Sequence, residues 1–158
     1  MTTIIRESST RIKTGIVLIV AMLILGYIDS YFLFWLVFGI MLMISISESK
    51  KLFGLKSDSI YVYTSLLWFA AYFYPMPEDL IFVVAIGYAS QLAYKKTLNQ
   101  KLFLPLLYPT ASFLFLLTLY SEYGVNTLLW LLIIVASTDI GAYFVGKGFG
   151  KTQFCETS

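Results

Sequence analysis

Residues 15–47 read GIVLIVAMLILGYIDSYFLFWLVFGIMLMISIS, an apolar stretch whose only charged residue is Asp29. As a single helix these 33 residues would be about 50 Å long, well over the roughly 30 Å of a bilayer's hydrocarbon core. Asp29 and Ser30 therefore predict a turn between two apolar helices. Such a helical hairpin predicts that the chain crosses a membrane.

The composition of the whole chain supports the same fold class. Of 158 residues, 59% are hydrophobic and 13% are charged, against about 45–50% and about 25% in an average soluble domain. One soluble core of this size could not enclose so much apolar surface. We predict an all-α, polytopic helical membrane protein, with a single membrane domain over residues 1–158 and about six transmembrane helices. The predicted helices are 12–28, 31–47, 59–75, 80–94, 102–120 and 125–145.

The charged residues between these runs alternate in sign. All eleven Lys and Arg residues lie in the two end segments or in alternate connections. The other connections have no cation and contain Asp29, Glu78, Asp79 and Glu122. Because cytoplasmic loops of membrane proteins are enriched in Lys and Arg, we expect a multi-pass protein with both ends in the cytoplasm.

Composition also excludes several functions. The formal charge of +2 and the scattered cations do not make the basic surface that a nucleic-acid partner requires. The sequence has no histidine and one cysteine, Cys155, which rules out a His-based triad, a Cys/His zinc site and an intrachain disulfide. We assign no role to Cys155.

Residues 137–151, STDIGAYFVGKGFGK, contain the only acid within an apolar run, Asp139. A carboxylate near the middle of a span costs roughly 2.5–3.5 kcal/mol on insertion scales, so it usually faces a polar cavity, a cation or a metal ion. Asp139 precedes Lys147 by eight residues, about 12 Å of helix, so the cavity would open to the cytoplasm. The alternative is a simple hydrogen bond between helices.

The glycines and lysines after Asp139 have two interpretations. Small residues with exposed amides, beside ammonium groups, favour phosphate binding at the membrane surface. The groups expected to bind phosphate are Gly146, Gly148, Gly150, Lys147 and Lys151. Alternatively, Ala142, Gly146 and Gly150 recur every fourth residue, which is typical of close helix packing. The spacing also approximates a P-loop, but Gly148 replaces the Ser or Thr that would bind magnesium.

The same stretch resembles phosphatidate cytidylyltransferases, the bacterial CDP-diacylglycerol synthases. In that family a D-x-G-A-Y-F-x-G-K-x-F-G-K pattern ends a membrane helix, and residues 139–151 match each of its fixed positions. The segment RIKTGIVL at 11–18 is also similar to the start of such enzymes. The resemblance implies a nucleotidyltransferase of the bacterial inner membrane. Such an enzyme transfers CMP from CTP to phosphatidate, giving CDP-diacylglycerol and pyrophosphate in phospholipid biosynthesis, with Mg²⁺ as cofactor.

In such an enzyme, chemistry and position indicate roles for individual residues. Asp139 would be a catalytic residue whose carboxylate lines the cavity near the metal or a lysine partner, and Lys147 and Lys151 would meet phosphate oxygens of CTP or phosphatidate. The family's metal ligands would lie downstream of Ser158, so we expect the chain to be an N-terminal portion without a metal site of its own, inactive alone. A homodimer is a further implication of the family.

Two other functions remain open on sequence grounds. A CTP-dependent lipid kinase would share the membrane cavity and the phosphate chemistry. A small-solute transporter would also place an acid within a span, but it would favour broken helices and inverted repeats. Among the aromatic residues, we expect Trp35, Trp68 and Tyr72 to be lipid-facing or interfacial anchors.

Overall fold

The computed structural model of the protein describes residues 19–55, 58–94 and 102–149. No strand occurs among these residues, and their helices confirm the predicted all-α class of a polytopic membrane protein. Besides a short 3-10 helix at Pro77–Asp79, the helices are α1 Ile19–Ile28, α2 Tyr31–Leu52, α3 Ser59–Phe73, α4 Leu80–Tyr94, α5 Phe103–Tyr123 and α6 Val125–Phe149. Three of them, α2, α5 and α6, include a segment that is long and apolar enough to cross a membrane.

The predicted hairpin turn lies between α1 and α2. Asp29 has a φ of 46°, in the left-handed region that Asp and Asn tolerate better than most residues. Its amide donates to the carbonyl of Leu25 at 3.0 Å, and the amide of Phe34 donates to the carbonyl of Ser30 at 3.0 Å. One residue in this conformation therefore ends α1, and the next carbonyl accepts the first hydrogen bond of α2.

Helix α5 lies at the centre of the bundle and contacts α2, α3, α4 and α6. The buried face of α2 repeats every fourth residue: Phe34, Phe38, Leu42 and Ile46 are all at most 5% exposed. From α5, Leu114 and Leu117 are fully buried in the same core. Since lipid is as apolar as these side chains, van der Waals packing rather than exclusion from water stabilises this contact.

Polar contacts fix the two ends of the bundle. At one end the Tyr120 hydroxyl donates to Asp29 Oδ1 at 2.8 Å, and the Thr118 hydroxyl donates to the Glu78 carboxylate. The start of α2, the end of α5 and the 3-10 helix before α4 therefore lie together. At the opposite end, Lys50 forms an ion pair with Asp58 across the connection between α2 and α3. Which of the two ends faces the cytoplasm remains a prediction from the charge pattern.

Two tryptophans join α2 to α3. Trp35 Nε1 donates to the carbonyl oxygen of Trp68 at 2.9 Å, and Trp68 Nε1 donates to that of Trp35 at 3.1 Å. Trp68 is only 4% exposed, so the prediction of a lipid-facing or interfacial anchor is wrong for this residue. Gly39 is the reason, because its missing Cβ leaves room for the indole of Trp68.

Candidate functional site

The candidate site is built on the C-terminal half of α6. Leu128, near the start of the helix, is 2% exposed. Asp139 follows eleven residues later, about three helical turns, and so lies within about 20° of Leu128 around the axis. The Asp139 carboxylate is therefore on the face by which α6 first packs onto the bundle.

That face is not covered farther along the helix by any residue that the structure describes. Asp139 is exposed, and a Cβ added at Gly141 or Gly146 would meet nothing within 4 Å. Within the described ranges, Asp139 has no hydrogen-bond or ion-pair partner. The sequence left open a hydrogen bond from Asp139 to another helix and close packing along the small residues of α6. Among the described residues, no other helix makes either contact.

The glycine-lysine segment continues the same helix. Helix α6 extends through Phe149, so the amides of Gly146 and Gly148 lie within it and bond to carbonyls four residues earlier. Gly146 thus offers a ligand a bare helix surface rather than a free amide. It lies two turns after Asp139 and on the same face. The Lys147 side chain, Gly150 and Lys151 lie outside what the structure describes.

The described residues supply little for a metal ion. In residues 19–55, 58–94 and 102–149, no group of three or more His, Cys, Asp or Glu side chains is placed to hold one. Asp139 offers a single carboxylate. Mg²⁺ is typically bound through one or two carboxylates together with phosphate oxygens of the substrate. Asp139 therefore fits a role as one ligand and does not form a metal site by itself.

A concave surface that the sequence did not predict is a groove of about 570 Å³ between α2 and α3. It is lined in part by Trp35, Gly39, Met43, Ser47, Ser65 and Trp68. The available signal was Gly39, a small residue within an apolar helix, but its partner on α3 could not be read from the sequence.

Residues 9–158 match the sequence model of the cytidylyltransferase family over nearly the whole chain. The chain belongs to this family. It is also 38% identical over 153 residues to the phosphatidate cytidylyltransferases of two strains of Helicobacter pylori. Each alignment covers 96% of this chain and 58% of the relative. No solved structure gives a significant match.

The match to the cytidylyltransferase family extends over the helix that carries the candidate site. The matched range includes all of α6. Asp139 is the only carboxylate among residues 125–143 of that helix. The open face of α6 around Asp139 and Gly146 is therefore the candidate site of this cytidylyltransferase-family chain.

Proposed function

We propose that the protein functions as a phosphatidate cytidylyltransferase, forming CDP-diacylglycerol and pyrophosphate from CTP and phosphatidate. The observation that carries this proposal is 38% identity across 96% of the chain to proteins of that name. The open face around Asp139, on a membrane-spanning helix, supports it by offering an acid where a phosphorylated lipid and a nucleotide could meet.

The chemistry requires little acid-base assistance. A phosphate oxygen of phosphatidate attacks the α-phosphorus of CTP, and the bond from that phosphorus to the oxygen bridging the β-phosphorus breaks. Pyrophosphate then leaves with the electron pair of that bond. A phosphate monoester has a second pKa near 6 and is largely a dianion at neutral pH. The absence of histidine from the sequence is therefore compatible with the reaction.

The main demand on the protein is to hold several negative charges together. We assign Lys147 and Lys151 to phosphate oxygens of CTP or phosphatidate, because fixed cations stabilise charge in a site that excludes water. Gly146, Gly148 and Gly150 would allow the substrates to approach the helix closely. When bound, Mg²⁺ would offset the negative charge of the substrate phosphates. Asp139 would provide one carboxylate beside it or orient a lysine.

The proposal includes the setting of the enzyme. We place it in the bacterial inner membrane, with both ends in the cytoplasm where the eleven cations would lie. We also propose a homodimer and no nucleic-acid partner. The lipid substrate would reach Asp139 from the bilayer, and CTP would arrive from the aqueous side near Lys147.

The test is CTP-dependent product formation in membranes that contain the protein expressed from its complete coding sequence. We expect Asp139→Asn to lower turnover by about 100-fold and Lys147→Ala by about tenfold, in the range seen when one stabilising group is removed from a polar active site. Glu122→Gln, the same kind of change at the exposed end of α5, is the control and should leave turnover unchanged. Full activity in both site variants would remove the site assignment.

The by-product separates the reaction from its alternative. A cytidylyltransferase releases pyrophosphate and leaves CMP on the lipid, whereas a CTP-dependent lipid kinase releases CDP and leaves a single phosphate. Label from α-³²P-CTP should therefore appear in the lipid fraction. Recovery of that label in CDP would contradict the proposed function.

A further inference from the structure

The groove between α2 and α3 has a volume and a lining suited to a hydrocarbon chain. Its volume of about 570 Å³ falls within the range of about 300–1,000 Å³ that is usual for small-molecule sites. Both indole N–H groups on its wall are already bonded to backbone carbonyls. Apart from the hydroxyls of Ser47 and Ser65, the other lining side chains are apolar. The groove therefore has few polar groups to offer a polar ligand.

One end of the groove leads to a free cation. Ser47 lines the groove, and Lys51 lies one turn farther along α2 on the same face, about 6 Å away along the axis. Lys50 is already occupied, because it pairs with Asp58 and lies 5.2 Å from the ring centroid of Tyr61. Lys51 is exposed and has no ion-pair or hydrogen-bond partner within the part of the chain that the structure describes.

We propose that this groove binds an acyl chain of an anionic phospholipid from the surrounding bilayer, with the lipid phosphate at Lys51. An apolar groove that ends near a cation with no partner among the described residues complements a lipid, which joins a hydrocarbon chain to an anionic headgroup. A second helix is a poorer fit, since helices in membranes pack through small residues and the space at Gly39 is already filled by Trp68. The proposal depends on insertion in a membrane and not on nucleotidyl transfer.

The tryptophans in the groove provide the readout. The chain has three tryptophans, and Trp130 on α6 is 65% exposed. Trp130→Phe would therefore leave only Trp35 and Trp68 as fluorophores. In vesicles, phospholipids with brominated acyl chains quench an indole that they contact. We expect brominated phosphatidylglycerol to associate about fivefold more tightly than brominated phosphatidylcholine, as one lysine near an anionic headgroup implies.

Charge variants test the headgroup site. In the Trp130→Phe background, Lys51→Gln should abolish the preference for phosphatidylglycerol and leave quenching by phosphatidylcholine unchanged. Lys95→Gln removes the same charge from another connection of the chain and should keep the preference. Equal loss in both variants would indicate general surface charge and overturn the proposal. Preference for brominated phosphatidate over phosphatidylglycerol would also overturn it, in favour of a substrate site.

A groove-filling variant tests the acyl-chain site. Ser65→Phe places a ring in the groove, and Ser90→Phe makes the same change at an exposed position on α4. We expect the first to reduce quenching by both brominated lipids and the second to leave it unchanged. If Ser65→Phe prevents folding, the Lys51→Gln comparison alone decides the proposal. Unquenched tryptophans in the Trp130→Phe protein would show that protein rather than lipid occupies the groove.

Discussion

Three acids among the described residues differ in whether a hydroxyl donates to them. Asp29 and Glu78, at helix ends, accept hydrogen bonds from Tyr120 and Thr118. Asp139, within a helix, has no partner in the ranges that the structure describes. Sequence alone could single out Asp139, because a charge in hydrocarbon costs free energy wherever its neighbours lie. It could not pair Asp29 with Tyr120, since that contact joins residues 91 positions apart.

The bond between Tyr120 and Asp29 should stabilise the end of the bundle. Tyr120→Phe removes the hydroxyl that donates to the Asp29 carboxylate, so we expect the free energy of unfolding to fall by about 1.5–3 kcal/mol. Denaturant titration in mixed micelles would measure it. Tyr108→Phe removes a hydroxyl from a side chain that is 79% exposed and should change little. Equal stability of the two variants would mean that the bond contributes nothing.

Thr64 should tolerate loss of its hydroxyl better than other buried threonines do. Its Oγ1 is buried and has no hydrogen-bond partner in the described structure, whereas Thr110 Oγ1 donates to the carbonyl of Leu106 at 2.5 Å. An unsatisfied buried group costs about 1–3 kcal/mol. We therefore expect Thr64→Val to raise the melting temperature and Thr110→Val to lower it. A fall for Thr64→Val would indicate an unseen partner.

At the scale of elements, the sequence predicted where helices begin better than where they end. Helices α2 and α6 begin at the predicted residues, but α2 continues from 47 to Leu52 and α6 from 145 to Phe149. Apolar residues are required only within the hydrocarbon core, whereas the backbone remains helical beyond both apolar runs. Lysines at a helix C-terminus, such as Lys50 and Lys51, favour this continuation through the helix dipole.

Hydropathy also did not predict which helices lie at the centre of the bundle and which lie at its periphery. Helices α5 and α6 have similar mean hydropathy, 1.6 and 1.7. Nevertheless α5 lies at the centre of the described bundle, and α6 has one buried residue among its described side chains, Leu128. A lipid-facing helix and a protein-facing helix are both apolar all round, so periodicity does not separate them in a membrane. The sequence therefore could not predict that this face of α6 is open.

The contact between α2 and α3 depends on the absence of a side chain at residue 39. A Cβ at Gly39 would lie 2.9 Å from Cδ1 of Trp68 and closer still to Nε1. We expect Gly39→Ala to destabilise the protein by about 1–3 kcal/mol, the usual cost of overpacking, and to shift indole fluorescence in the Trp130→Phe background.

Gly87→Ala on α4 is the matched control for Gly39→Ala. A Cβ at Gly87 meets nothing within 4 Å, so Ala should stabilise the helix by about 0.5–1 kcal/mol. Equal changes in melting temperature for both variants would contradict the packing described at Gly39.

At the scale of the whole molecule, the described contacts between connections lie at two opposite ends of the bundle. Only the charge pattern indicates which end faces the cytoplasm. Asp29 and Glu78 lie near the end of α5, and the Lys50–Asp58 pair lies at the opposite end. The sequence could predict that successive connections lie at alternate ends, because each span reverses the direction of the chain. The positive-inside rule then makes a specific prediction for the single cysteine.

Cys155 should be inaccessible from outside an intact cell. The proposed orientation has both ends in the cytoplasm, so a membrane-impermeant maleimide should label Cys155 only after the inner membrane is permeabilised. In a Cys155→Ser background, Glu122→Cys should be labelled in intact spheroplasts, because residue 122 is exposed at the end of the bundle assigned to the outer surface. The opposite labelling pattern would reverse the proposed orientation.

The reciprocal tryptophan bonds also determine how the bundle responds to its surroundings. Each indole holds the main chain of the neighbouring helix, so an axial shift of α2 past α3 by one residue, about 1.5 Å, would strain both bonds together. We therefore expect α2 and α3 to resist sliding and to tilt together when bilayer thickness changes. The Asp29 turn and the ion pair of Lys50 lie at opposite ends of α2. A tilt of α2 would therefore move both contacts together.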